Sequence, residues 1–177
     1  MTTSNPDASV PAASESVLRP IRRSLPMALL RAREAVMERF RAMLREHGLT
    51  EQQWRVLRVL AEQESLEISQ LAGHSFLLPP SLSRILKFLD GKRLIRRRAV
   101  NADQRRFEVS LTAEGRRLFH RVAPSSEAIY REIEQAFGED RLEDLYALLR
   151  DLGRALAPEG PDPKRLRDNV PATRINP

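Results

Sequence analysis

The sequence contains no cysteine, which excludes disulfides, thiolate zinc sites and cysteine nucleophiles and agrees with a reducing compartment. Aromatic residues make up 5% of the chain, a composition that suits a helix-rich, surface-charged protein better than an all-β one. No apolar run approaches the ~18 residues of a membrane span. The opening residues lack the charged start and apolar stretch of a signal peptide, so a cytoplasmic protein is expected. The seven glycines form no phosphate-binding loop, and nucleophile elbows and paired-carboxylate motifs are also missing, which argues against an enzyme. Three histidines, His47, His74 and His120, are scattered with no metal-ligand spacing, so neither a metal nor a cofactor is expected. His47 suits a helix end or an interface instead.

Charge is what the chain has in excess. Thirty Lys and Arg against 24 Asp and Glu give +6 over 177 residues, enough chain for one domain with tails and too little for two large ones. Residues 1–20 are rich in Ser, Pro, Ala and Thr and net −1, and they read as a disordered tail. Residues 157–177 carry five prolines among mixed charges and net +1, and they read as a second tail. The core, 21–156, therefore keeps the whole excess, and Lys92 to Arg106 alone hold seven basic residues and one acid. The basic character is a local patch, which points to an anionic partner.

Helix signals dominate that core. Ser24 before Leu25-Pro26, and Gly48 after a periodic run to Glu46, bound a long first helix. Thr50 with Gln53 makes a capping box for a second helix, to about Gln63. After a short alternating segment at Leu66 to Ile68, Ser69 is placed to cap a short helix over Gln70 to Ser75. Phe76-Leu77-Leu78-Pro79-Pro80 then breaks the helix, and Pro80 suits the first position of another, Ser81 to Asp90, ended by Gly91. Two short helices across a tight turn form a helix-turn-helix. Leu94–Val100 and Phe107–Leu111 read as a β-hairpin with a charged tip. Thr112 opens a long helix to Phe137, with a bend expected near Pro124, and Asp140 opens the last, Leu142 to Leu156. The predicted fold is all-α with a small β-hairpin wing: a winged helix-turn-helix between long terminal helices.

The basic patch then acquires a use. Leu82, Ile85, Leu86 and Leu89 form a packing stripe, which leaves Ser81, Ser83, Arg84 and Lys87 on another face, the residue types that read bases in a major groove. At the hairpin tip Arg105 or Arg106, with Gln104 beside them, can enter a minor groove, and Arg96, Arg97 and Arg98 can track phosphates. A solvated basic hairpin with no partner is the plain alternative.

Leu71-Ala72, Pro80-Ser81-Leu82-Ser83-Arg84, Leu94-Ile95, Asn101 to Arg106 and Leu111-Thr112-Ala113-Glu114-Gly115 resemble the MarR family of bacterial transcriptional regulators. Within it, Ser24-Leu25, Ala28-Leu29-Leu30, Ala32 to Ala35 and Leu49 to Arg55 resemble the homoprotocatechuate-operon regulator branch, associated with aromatic-acid catabolism. The resemblance implies a homodimer joined through 21–48 and 113–156, with 50–112 binding DNA at a pseudo-palindromic operator that a small aromatic acid effector releases. By position Asp103 would orient Arg105. Pro79 stands where members often carry a Ser or Thr cap, so the entry to the recognition helix departs from the family pattern.

The first helix supplies a ligand hypothesis. Pro26, Leu29, Leu30, Val36, Met37, Phe40, Met43 and Leu44 fall within roughly 140° of arc, with Arg33 in its middle. A guanidinium there needs an anionic partner: either a carboxylate such as Glu127, Glu132 or Glu134, or the carboxylate of a bound aromatic acid. Ser24, Trp54, His74 and Phe76 complete the candidate ligand contacts, each with a plainer reading as cap, core or surface residue. The stripes through Leu118, Val122, Ile129 and Ile133 and through Leu142, Leu145, Leu149, Leu152 and Leu156 read as core or dimer interface. The expected function is a ligand-responsive repressor of an aromatic-acid operon; the alternative is an effector-independent architectural or RNA-associated protein.

Overall fold

The computed structural model describes residues 20–99 and 107–157, and helices account for most of them. Two units separate inside the first long helix, one ending at Met37 and the other starting at Glu38. Apart from Pro20 and Ala157, the two expected tails lie outside the described residues, as does the hairpin tip from Val100 to Arg106.

In the first unit a single 3-10 turn, Ile21–Arg23, precedes α1 (Leu25–Glu46). Ser24 takes the N-cap position, its carbonyl accepting the Ala28 N–H at 3.0 Å. Pro26 sits in the first turn, where an N–H would have no partner. Leu25, Leu29, Leu30 and Val36 are all exposed.

The second unit begins with the end of α1, where Phe40, Met43 and Leu44 are buried. Gly48, at φ +67°, turns the chain so that the Leu49 N–H reaches the Leu44 carbonyl at 2.9 Å, a left-handed stop that glycine adopts without strain. The capping box then forms as the sequence spells it: Thr50 Oγ1 accepts the Gln53 N–H at 3.3 Å and Gln53 Oε1 accepts the Thr50 N–H at 2.9 Å, opening α2 (Glu51–Glu62).

There follow β1 (Leu66–Glu67), α3 (Ile68–Ser75), α4 (Pro79–Gly91), β2 (Ile95–Ala99), β3 (Phe107–Leu111), α5 (Ala113–Phe137) and α6 (Glu139–Ala155). The sheet is antiparallel in the order β1-β3-β2, with Leu66 opposite Val109 and Ile95 opposite Leu111. The short alternating segment at Leu66 to Ile68 thus joins the expected hairpin as a third strand, over Leu66–Glu67. Val56, Leu57 and Leu60 of α2, Leu71 of α3, Leu82, Leu86 and Leu89 of α4 and Val109 of β3 are fully buried, so three helices and the sheet share one apolar centre. Each such side chain contributes roughly 1.5–3 kcal/mol.

One clasp fixes the wing to the helices. Thr112 donates its hydroxyl to the Arg93 carbonyl at 2.7 Å and accepts the Gly115 N–H at 3.0 Å, while its own N–H reaches the Leu94 carbonyl at 3.0 Å. A Cβ on Gly115 would overlap that same Leu94 carbonyl. The Leu-Thr-x-x-Gly motif is thus a close approach of α5 to the base of the wing.

Three boundaries differ from the sequence reading. α3 starts at Ile68 with Glu67, not Ser69, at its N-cap, because pairing with β3 holds Leu66-Glu67 extended and the helix begins where the ladder stops. α4 starts at Pro79 behind Leu78, so Pro79 is the first helical residue and not the cap. α6 starts at Glu139 behind Gly138, whose φ of +96° makes the corner. α5 is one helix through Pro124.

Candidate nucleic-acid interface and ligand site

The helix-turn-helix is α3, a turn at Phe76 to Leu78, and α4. Leu82, Ile85, Leu86 and Leu89 pack inward, and Ser83, Arg84 and Lys87 are exposed on the other face with Ser81 half-buried at its start. This is the division the sequence stripe called for. The start of α4 has no side-chain cap and carries two prolines. The turn is held from behind: Arg55 of α2 donates to the Ser75 carbonyl at 3.1 Å, and the Ser75 hydroxyl bonds the Leu71 carbonyl.

On the wing, Arg96, Arg97 and Arg98 are all exposed. Strand alternation splits them. Arg96 and Arg98 stand opposite Ser110 and Glu108, and with Glu64, Ser65 and Arg116 they line an open cleft of about 340 Å³. Arg96 Nε donates to Ser110 Oγ at 2.9 Å, which fixes its fork. Arg97 faces the other side, opposite Val109. The tip residues Asp103, Gln104, Arg105 and Arg106 lie outside the described residues.

The ligand candidates separate more sharply. Arg33 was expected on a buried apolar face, yet its side chain is 44% exposed and pairs with Glu34 at 2.6 Å. Of the carboxylates considered for it, Glu132 pairs with Arg39 at 3.3 Å. Of the apolar arc, Phe40, Met43 and Leu44 are buried, but in its first turns the chain itself does not bury it: Leu29, Leu30 and Val36 are as exposed as the arginine. Ser24 is half-buried at the N-cap of α1. His74 and Phe76 sit at the end of α3 and in the turn, and Phe76 is 79% exposed, so the ring forms no wall of an enclosed site.

Trp54 alone among the five lies deep in the second unit. Its ring stacks on Phe119 of α5, with centroids 5.3 Å apart and planes 20° apart, and its Nε1–H is buried without an acceptor among the described residues. One turn along α2 is a residue the sequence reading passed over. Arg58 is half-buried and donates to Tyr130 Oη at 2.9 Å, with its guanidinium 5.7 Å from the Tyr130 ring centre. Among the described residues no carboxylate pairs with it. Tyr130 also meets Phe40 edge-on at 5.1 Å. Ser126, one turn before Tyr130 on α5, has a buried hydroxyl without a partner among the described residues. Burial lifts the Tyr146 phenol of α6 above its usual range, helped by Tyr130 and by Glu143 and Glu134 and opposed by Arg58.

Trp54 and Arg58 of α2 thus meet Phe119 and Tyr130 of α5, and among the described residues the Trp54 Nε1–H and, on α5, the Ser126 hydroxyl are buried without partners. Unpartnered buried donors are costly unless something else satisfies them. An aromatic acid offers a ring, a carboxylate and polar substituents to match. The signal available in the sequence was the i, i+4 spacing of Trp54 and Arg58 on one face of α2.

Residues 49–107 match the profile of the MarR family. The chain is similar to the homoprotocatechuate degradative operon repressor of Escherichia coli, 42% identical over 128 residues, covering 72% of this chain and 86% of that one. Among solved structures it is similar to the transcriptional regulator PA4135, with 43% identity, a TM-score of 0.71 and coverage of 77% and 98% of the two chains. It is also similar to NadR in complex with 4-hydroxyphenylacetate, with 36% identity, a TM-score of 0.65 and coverage of 81% and 97%.

Proposed function

The chain belongs to the MarR family of DNA-binding transcriptional regulators, which are not enzymes, and from that premise we propose that it represses an aromatic-acid catabolic operon and receives its effector's carboxylate at Arg58. MarR regulators bind their DNA operators as dimers. A cytoplasmic, homodimeric protein fits this reading, and among the described residues no helix is long and apolar enough to cross a membrane. The exposed Leu25, Leu29 and Leu30 in the first unit, and Leu145, Leu148 and Leu149 of α6 with Leu156 just after it in the second, supply apolar surface for the other copy to cover. Ser81, Ser83, Arg84 and Lys87 enter the major groove, Arg96, Arg97 and Arg98 follow phosphates, and the tip with Asp103, Gln104, Arg105 and Arg106 reaches the minor groove.

The observation that carries the effector assignment is the pairing of a half-buried guanidinium with a neutral hydroxyl: Arg58 on Tyr130. A carboxylate accepting from Arg58 would replace that weak partner with a charge-assisted one, which is shorter and about twice as strong. The ring would lie beside Trp54 and Phe119. The relative named for homoprotocatechuate degradation and the neighbour holding 4-hydroxyphenylacetate both point to hydroxylated arylacetates as the class. Arg33 keeps a place as the alternative carboxylate partner, contributed on a face that a second copy covers.

The chain has one tryptophan, so its fluorescence reports the site directly. Titration with 4-hydroxyphenylacetate and with homoprotocatechuate is expected to quench Trp54 in the wild type and in Arg33→Met, and to need 10- to 100-fold more acid in Arg58→Met. Normal binding by Arg58→Met, with loss in Arg33→Met, would return the role to Arg33.

A further inference from the structure

We propose that the apolar cluster at the entrance to α4, Phe76 and Leu78 with Pro79 and Pro80, reads thymine methyl groups in the major groove; the inference rests on the DNA-binding reading above. Phe76 and Leu78 are 79% and 75% exposed, more than any other exposed large hydrophobic side chain among the described residues. They gain nothing for folding there.

The cluster is rigid. Leu77 between them is buried, its N–H bonded to the Ala72 carbonyl at 3.1 Å, so the flanking side chains project outward. The Phe76 N–H bonds the Gly73 carbonyl at 3.2 Å, and Arg55 holds the Ser75 carbonyl just before it. Phe76 itself sits at φ 50°, ψ 45°, a left-handed position that glycine or asparagine occupies more easily. The strain and the exposure fall on one residue, and both present a ring to whatever α4 approaches.

The chemistry of the helix start narrows the target. A free helix N-terminus ordinarily offers its first N–H groups to a phosphate. Here the first two helical residues are Pro79 and Pro80, which have none, and Leu78 supplies no side-chain cap. The entrance is therefore nearly donor-free and apolar, while Arg84 and Lys87 on the exposed face one and two turns further along carry the attraction to DNA. In a major groove the apolar target is the thymine 5-methyl group. The apolar entrance and the charges follow one another along α4, and DNA is the partner that this order commits to.

Selection from randomised duplexes tests this, with one library made from dTTP and one from dUTP, which lacks the methyl. The wild type is expected to enrich thymine at a pair of two-fold-related positions from the first library and to lose that preference in the second. In the enriched duplex, uracil at those positions should weaken binding about fourfold per methyl, the factor that about 0.8 kcal/mol represents. The Phe76→Ala/Leu78→Ala variant, whose side chains are exposed and bear no folding load, should select the rest of the site and ignore the change from thymine to uracil. An unchanged preference in the dUTP library, or one retained by the variant, would overturn the inference and leave DNA binding intact. No enriched sequence from either library would overturn the DNA-binding reading and this inference with it.

Discussion

Arg55 Nη1 donates to the Ser75 carbonyl at 3.1 Å, so the helix that carries Trp54 and Arg58 is bonded to the last residue of α3, next to the reading turn. Arg55 also pairs with Glu51 at 3.1 Å, and Glu51 with Arg41 at 3.4 Å, which ties the end of α1 into the same network. A tilt of α2 on ligand binding would reach the turn through this bond. Arg55→Met is expected to leave acid binding unchanged by Trp54 fluorescence while shrinking the acid-dependent change in DNA affinity by about tenfold, within the ordinary size of an allosteric coupling. Parallel fluorescence and DNA-binding titrations check it; an undiminished coupling would remove the bond from the path.

The wing contributes through charge. Arg98 is exposed on the cleft face of β2 and Arg105 belongs to the tip. Each substitution to Ala is expected to lower the slope of log affinity against log salt by ~0.9 if it meets one phosphate. Arg105→Ala should in addition relax sequence preference, because a minor-groove contact responds to groove width. Salt titrations on specific and random duplexes separate the two effects.

Gly115 and Gly91 make a matched pair. A Cβ at Gly115 would run into the Leu94 carbonyl, whereas at Gly91 it would meet nothing within 4 Å. Gly115→Ala is expected to destabilise by about 1–3 kcal/mol as the wing base shifts from α5. Gly91→Ala should be neutral or stabilising by up to roughly 1 kcal/mol. Denaturant unfolding of both variants measures the contrast, and equal midpoints would contradict the clasp.

Tyr146 gives a pH signature. Its phenol is held above the usual tyrosine range, chiefly by burial, so the folded state keeps its proton more tightly than the unfolded chain. That contribution is intact below about pH 10, the unfolded value, and is lost as pH rises from there through the higher folded value. Tyr146→Phe should flatten this alkaline loss in a series of unfolding midpoints between pH 8 and 11, and an unchanged profile would assign the loss elsewhere.

Local signals made most of the fold legible. The Thr50–Gln53 capping box, Gly48 at the end of α1 and the Leu-Thr-x-x-Gly turn are each spelled within a few residues, and each forms as spelled. The stripe through Leu82, Ile85, Leu86 and Leu89 divided α4 correctly because periodicity reports which face is apolar. It does not report what covers that face. Arg33 was placed in a core for this reason, on turns of α1 that the single chain leaves exposed. β1 was legible only as the short alternation at Leu66 to Ile68; its pairing with β3, which ends it at Glu67, is spelled by no local pattern. Arg58 was marked locally only by its i, i+4 spacing from Trp54; its partner Tyr130 stands 72 residues away, a relation that spacing does not carry. Conversely, the missing side-chain cap on α4 was legible from Pro79, although that residue is the first of the helix and Leu78 the cap.

The most direct measurement is fluorescence anisotropy of the protein on the DNA upstream of its own gene, at fixed salt, with and without 4-hydroxyphenylacetate or homoprotocatechuate. A ligand-responsive repressor binds this DNA well above random duplex and loses affinity as one of these acids is added. Specific binding that no aromatic acid alters would contradict the effector site, and binding no tighter than to random DNA would contradict operator recognition itself.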